Sequence, residues 1–495
     1  MTGVRTRIDT PDGVVQGVVS GGVRCWYSLP YAAPVTPERR FQKPQPVERW
    51  AGVRDASAPG ATTPQSTPPA FEDMDVTALY GPTVEGPDFL TLNVFSPTED
   101  KTAVPVMLFI HGGSFISGGK DVPLYDGRGL ARDGVVCVVI NYRLGIEGFL
   151  PIPDVPTNLG LRDMIAAMTW VRDNIAAFGG DPGNVTLFGE SGGGCCVSVL
   201  MTSPLAQPFF QRAIVQSGHG MISRDISRMQ KVVKRIAKKA GIPATREGFL
   251  SKSTRELLDV QAWVMKLSLF LSMRDKDGRD PGFGMTRFQP VHGDDVLPMN
   301  TAEALKNGAG RQIDLLIGAT TDEVNAFTAP GNAAAKIKAW QAPLLVGVGM
   351  PRARQALKAY GLGQKGSSAG EVMTRALTDL MFRWPTRRMA EMHGRAHVFE
   401  FDWPSPALNG RLGAAHAVDV PFVFDTLEVA SGPRNFLGPN PPQALSDSIR
   451  ALWVRFARDG FAPWPSYSPD TRLVYSLTRQ VAAPEAIMPA AAFLP

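Results

Sequence analysis

NVTLFGESGGGCCVSVL, residues 184–200, decides how this chain is read. Val185, Leu187 and Phe188 predict a short buried strand, and Cys195 to Leu200 is an apolar run suited to a buried helix. Ser191 sits on the abrupt turn between them, the arrangement that lifts a serine hydroxyl clear of its neighbours and makes it a candidate nucleophile. Such a turn strains the backbone, so the residues two places away on either side must be small; Gly189 and Gly193 meet that requirement. The pattern alone is weak, because Gly366, Ser368 and Gly370 in QKGSSAGEV repeat it. What precedes Ser368 is YGLGQK, a loop and no apolar run, which makes Ser368 a surface turn and helix-start residue.

A nucleophilic serine needs donors for the oxyanion it creates. In VPVMLFIHGGSFISGG, residues 104–119, a buried strand from Val104 to Ile110 runs into His111, Gly112, Gly113 and Ser114. Glycines there let backbone N–H groups converge on one point, and Gly192, the residue after the nucleophile, adds another. Gly113, Ser114 and Gly192 are the expected donors. A phosphate-binding loop is excluded by register, since Lys120 places Ser114 where the first glycine belongs and Asp121 follows it. Ser117 and Lys120 form an S-x-x-K pair, but Gly118 and Gly119 between them do not suit the helix start that such a pair requires.

The base must come from six histidines. In this kind of fold the order is Ser, acid, His, which leaves His292, His393, His397 and His416 and sets His219 aside as too near the serine. His393 and His397 have helical metal-pair spacing, yet His397 opens the strand-like run HVFEF, no Cys or carboxylate cluster supports them, and no metal is expected. His292 lies in a turn dense with Asp and Gly. His416, in the loop GAAHAVDVPFVF after a late strand, is the best base. The acid should follow a strand between serine and base. IDLLIGATTDEVNAF supplies it, with Ile313 to Ile317 as the strand, Gly318 as its end, and Asp322 and Glu323 as candidates.

These segments, with LPYAAP, LTLNVFSP, NYRLGIEGFL and the long block from Asn158 to Gly194, make the chain resemble a type B carboxylesterase, the cholinesterase-like branch of the α/β-hydrolases. The resemblance covers nearly the whole chain. It implies a serine hydrolase of carboxylic esters working through an acyl-enzyme, with Glu323 favoured over Asp322 as the acid and His416 as the base. Departures fall on Ser114 (third glycine of the oxyanion triplet), Gly192 (usually alanine), and Val324 and Ala417 (usually glycine). None removes a catalytic side chain. Phe89 stands where disulfide-bearing members have a cysteine. The same triad also suits amides or carbamates, and some relatives are non-catalytic binding proteins; those lose the serine or histidine, which this chain keeps. Met381, Phe382 and Trp384 match a family region that lines the substrate pocket, although aromatic clusters are more often core.

The expected fold is α/β: one domain over 1–495, a central mostly parallel sheet flanked by helices, antiparallel strands at the N-terminus, and helical lid insertions within 220–281 and 332–370. Ala56 to Ala70, rich in Pro, Thr and Ser, is expected at the rim of the site. With 44% apolar and 20% charged residues the composition is that of a soluble globular protein. The 51 basic and 46 acidic residues are too balanced for nucleic acid, and the basic stretch Arg224 to Lys239 reads as a helix with a solvated face. Cys25, Cys137, Cys195 and Cys196 read as unpaired buried hydrophobes. With no apolar leader and no run long enough to cross a bilayer, a cytoplasmic enzyme with a small-molecule ester substrate, no cofactor and no membrane or nucleic-acid partner is expected. The oligomeric state is not legible.

Overall fold

A computed structural model describes residues 4–66, 70–99, 102–266 and 273–494. Parts of the expected rim (67–69) and of the first expected lid (267–272) lie outside these.

Fifteen strands form: β1 (Val4–Thr10), β2 (Gly13–Ser20), β3 (Val23–Pro30), β4 (Val53–Asp55), β5 (Thr91–Pro97), β6 (Val104–Ile110), β7 (Val136–Ile140), β8 (Gly180–Glu190), β9 (Arg212–Gln216), β10 (Arg224–Asp225), β11 (Val291–His292), β12 (Asp314–Thr320), β13 (His397–Phe401), β14 (Leu473–Ser476) and β15 (Val481–Pro484). All but β10 and β11 join one 13-stranded sheet in the order β1-β2-β3-β5-β7-β6-β8-β9-β12-β13-β14-β15, with β4 on β2. From β7 to β14 every neighbour is parallel, whereas β1, β2, β3 and β5 pair antiparallel.

The central strands are apolar throughout because both faces are covered. Along β6, Val106, Leu108 and Ile110 enter one core with the helices Leu159–Asn174 and Gly192–Leu200. Met107 and Phe109 point the other way, into a core with the helices Val420–Phe424 and Gln443–Asp459. This alternation follows from the two-residue period of a strand. A third, smaller core joins the helices Gln341–Gly347, Ala353–Ala359 and Ala369–Thr378 to Phe283, Leu380 and Met381.

The basic stretch forms the helix Ile226–Ala240, whose Val232, Val233, Ile236 and Ala237 are buried while Lys231, Lys234, Arg235 and Lys238 are exposed. One boundary differs from expectation: β12 does not end at Gly318 but runs through it to Thr320. Gly318 is needed inside the strand because a Cβ there would collide with the Phe399 ring on β13. The two extra residues carry the chain to the sheet edge where the acidic pair begins.

Candidate active site

β8 ends at Glu190 and the helix Gly192–Leu200 starts two residues on, leaving Ser191 alone on the turn with φ 57° and ψ −124°. A non-glycine residue is held there only when its surroundings impose it. The Ser191 amide donates to the Gln216 carbonyl on β9 at 2.9 Å. The flanking glycines are required by packing: a Cβ on Gly189 would lie 2.7 Å from the Gly193 carbonyl carbon, and one on Gly193 would overlap the Ile110 carbonyl oxygen.

Two loops from β12 and β13 close on this turn. Glu323 follows β12, and His416 lies in the long connection after β13. They are zipped together by backbone bonds, Asp322 N–H to Ala414 carbonyl (2.9 Å) and His416 N–H to Glu323 carbonyl (3.2 Å). The result is a chain of side-chain contacts: Glu323 Oε2 lies 2.5 Å from His416 Nδ1, and His416 Nε2 lies 2.7 Å from Ser191 Oγ. Glu323 is fully buried, and its second oxygen accepts from the Thr320 amide at 2.8 Å. Asp322 instead accepts from the Ala414 amide at 3.0 Å, so it holds the histidine loop and does not touch the ring.

After β6 the backbone turns left-handed at Gly113 (φ 109°), Ser114 (φ 53°) and Phe115 (φ 63°). Among the described residues neither the Gly113 nor the Ser114 amide donates a hydrogen bond. A Cβ on Gly192 would sit 3.3 Å from the Ser114 nitrogen, which puts these amides beside the N-terminus of the Gly192–Leu200 helix, where the dipole favours negative charge.

The other candidates are occupied elsewhere. Ser368 caps the helix Ala369–Thr378 through the Glu371 amide. Lys120 is buried against Asp121 (2.5 Å) and Ser28 (2.9 Å), while Ser117 donates to the Gly113 carbonyl. His219 bonds the Met381 carbonyl through Nε2, His292 approaches Ser223, His393 bonds the Gly310 carbonyl, and His397 packs edge-on against Trp464.

Against this geometry, comparison with known proteins is decisive. The model of the carboxylesterase family matches residues 4–489. The chain belongs to that family. It is 34% identical over 492 residues to para-nitrobenzyl esterase of Bacillus subtilis (strain 168), covering 96% of this chain and 95% of that one. Mouse cholinesterase is 31% identical over 491 residues, covering 92% of this chain and 78% of the relative. A solved para-nitrobenzyl esterase structure superposes with a TM-score of 0.78 at 30% identity, covering 96% of each chain. This carboxylesterase is therefore a carboxylic ester hydrolase with the α/β-hydrolase fold.

Two carboxylates in the enzyme were not singled out from sequence. Glu190, the residue before the nucleophile, is buried with Oε1 3.2 Å from His416 Nε2. Burial pushes its carboxyl up to about 8, with the neighbouring carboxylates Asp419 and Glu323 adding to the rise and His416 opposing it. Asp419 is also buried, accepts from Gln216 Nε2 at 2.7 Å, and is raised by burial to about 6. For His416 burial acts in the opposite sense and would depress the imidazolium, but Glu190 and Glu323 outweigh it and the net shift is upward. The available signal was a carboxylate inside an apolar strand end, where an ionised group needs a partner.

The three residues assigned to the pocket part company. Phe382 packs its ring 5.0 Å from that of His416, with Phe327 at 5.7 Å. A five-residue π-turn, Asp379–Arg383, carries Phe382. Met381 is buried in the third core, and Trp384 lines a cavity of about 500 Å³ with His219, Thr301 and Leu380. Neither Ser191 nor His416 lines that cavity.

Proposed function

We propose that Ser191 is the nucleophile, His416 the base and Glu323 the acid of this esterase, with the amides of Gly113, Ser114 and Gly192 as oxyanion donors. The observation that carries the reading is one ring bridging two partners: His416 lies 2.7 Å from Ser191 Oγ and 2.5 Å from Glu323 Oε2. Ser191 Oγ attacks the ester carbonyl carbon while His416 Nε2 takes its proton. The negative charge gathers on the carbonyl oxygen and is met by amides already in place, which need no reorganisation. Collapse expels the alcohol, protonated by His416, and leaves an acyl group on Ser191. Water, deprotonated by the same nitrogen, then releases the acid. Glu323 holds the imidazole tautomer and opposes its positive charge.

The chemistry calls for no cofactor or metal. Phe382 borders the reacting atoms as part of the substrate pocket, with Met381 and Trp384 behind it. The helices within 332–370, packed in the third core, form a lid over one continuous domain together with the helices of 220–281. The retained side chains argue against a non-catalytic binding role, and the family relation favours esters over amides or carbamates. Four buried, unpaired cysteines favour a cytoplasmic location. Balanced charge argues against a nucleic-acid partner. A fluorophosphonate probe tests the assignment: it should label Ser191 alone. Labelling of Ser368, or turnover retained in Ser191→Ala, would overturn it.

A further inference from the structure

The segment 324–370, which leaves Glu323 and contributes two helices to the third core, holds six of the chain's 51 basic residues (Lys336, Lys338, Arg352, Arg354, Lys358, Lys365) and none of its 46 acidic ones. The remaining 45 basic and 46 acidic residues balance, so the positive charge of the protein resides here. All six side chains are exposed, and none forms an ion pair among the described residues. Two carboxylates from outside the segment bond to it, Asp73 accepting from the Gly331 amide at 2.9 Å and Asp379 from the Tyr360 hydroxyl at 2.7 Å, and neither pairs with one of the six cations.

The same segment exposes apolar side chains that solvent does not favour. Trp340 is 64% exposed, Leu344 63%, Phe327 45% and Leu345 36%. Trp340 and Leu344 stand one turn apart at the helix Gln341–Gly347, whose other side, Ala342 and Val346, is buried in the third core. That helix is thus apolar on both sides with only one covered. Phe327, near the start of the segment, packs its exposed ring 5.7 Å from that of His416, so the segment sets out from the mouth of the site.

We infer that the 336–345 surface docks this esterase on an anionic lipid bilayer, its catalytic mouth close to the membrane plane. Tryptophan and leucine flanked by lysines are the side chains that settle at a headgroup boundary, the ring and aliphatic groups entering while the ammonium groups meet lipid phosphate. A second copy of this chain suits the patch poorly, because a two-fold contact would face each set of unpaired cations with its twin. No helix among the described residues is long and apolar enough to cross a membrane, so the contact is with the surface.

Flotation of the full-length enzyme with phosphatidylglycerol and with phosphatidylcholine vesicles tests this. Binding should strongly favour phosphatidylglycerol and weaken as salt rises. Each neutralised lysine should cost about fivefold, so Lys336→Gln/Lys338→Gln should weaken binding by on the order of 10- to 100-fold. Trp340→Ala/Leu344→Ala should weaken it as well. Both double variants should keep the parent's circular-dichroism spectrum and main thermal transition, which shows that they fold. Equal binding to both lipids, binding indifferent to either variant, or no binding at low salt would overturn the inference. So would sedimentation velocity revealing a dimer that Trp340→Ala/Leu344→Ala dissolves, since a second copy would then cover the patch.

Discussion

The two regions that meet beside His416 are built on opposite terms. The sheet end formed by β6, β8 and β12 is packed from both faces, and every residue of β6 and β7 is buried. Its positions are set by interlocked backbone, as at Gly193 against Ile110. The 324–370 segment has short helices, packs into the separate third core and exposes apolar rings. Methionine recurs in that core at Met350, Met373, Met381 and Met488, a side chain that fills irregular gaps and repacks easily. Bond making needs atoms held within tenths of an ångström, whereas admitting a substrate needs a wall that can adjust. The interlocked sheet end suits the first requirement and the methionine-rich third core the second.

The largest expected effect lies on the rigid side. Ser191→Ala should lower kcat by about 10⁵–10⁶ with the melting temperature unchanged, measured by steady-state turnover beside a thermal scan. Comparable residual activity in parent and variant would place the nucleophile elsewhere. Next, Glu323→Gln should lower kcat by about 10⁴, since the ring loses both its orienting partner and its counter-charge. Asp322→Asn, which keeps an acceptor for the Ala414 amide, should cost far less; the reverse ranking would move the acid to Asp322.

Ser114→Pro deletes an amide N–H at the oxyanion position and should cost about 10²–10³ in kcat, while Ser114→Ala keeps most activity. If Ser114→Ala loses as much, with stability intact, the hydroxyl is the donor and the departure from glycine at this place is functional.

A matched pair of core truncations addresses the comparison itself. Met107 in β6 and Met350 in the third core are equally buried. Met107→Ala should cost about 2–5 kcal/mol of global stability and lower the main thermal transition. Met350→Ala should leave that transition close to the parent and act chiefly on KM. Equal losses in the main transition would mean that the two cores unfold as one.

The smallest effect concerns Glu190. Only the neutral imidazole accepts the serine proton, so kcat/KM falls as pH drops through the pKa of His416. Burial depresses that pKa, Glu190 and Glu323 raise it, and the net direction is up. Glu190→Gln removes one of the three carboxylate attractions, Asp419 being the third, so the acid limb should move to lower pH by roughly one unit. A limb that stays in place would show that Glu190 is already protonated when His416 titrates.

Legibility followed distance along the chain. The turn at Ser191 and the loop at Gly113 and Ser114 announce themselves because their requirements are local: small residues at fixed offsets and an apolar run before them. The choice between Asp322 and Glu323 could not be read from the residues, because both follow the same strand and either side chain could reach a histidine. The backbone zipper to Ala414 and His416 decides it, pointing Glu323 inward and giving Asp322 a loop amide. The end of β12 was misplaced for a related reason: a glycine in a strand reads as a stop unless the Phe399 ring over it is known.

The chain by itself determined the fold class and marked Ser191, His416 and the loop at Gly113 and Ser114 as candidates, since each depends on periodicity, turn chemistry and order along the sequence. Tertiary structure decided that Glu323 and not Asp322 touches the His416 ring, that Glu190 and Asp419 crowd the same site, that Phe382 and not Trp384 borders His416, and that Ala342 and Val346 find cover in the third core while Trp340 and Leu344 do not. Those are relations between residues far apart in sequence, set by which strands neighbour one another and which faces are covered. No local pattern encodes them.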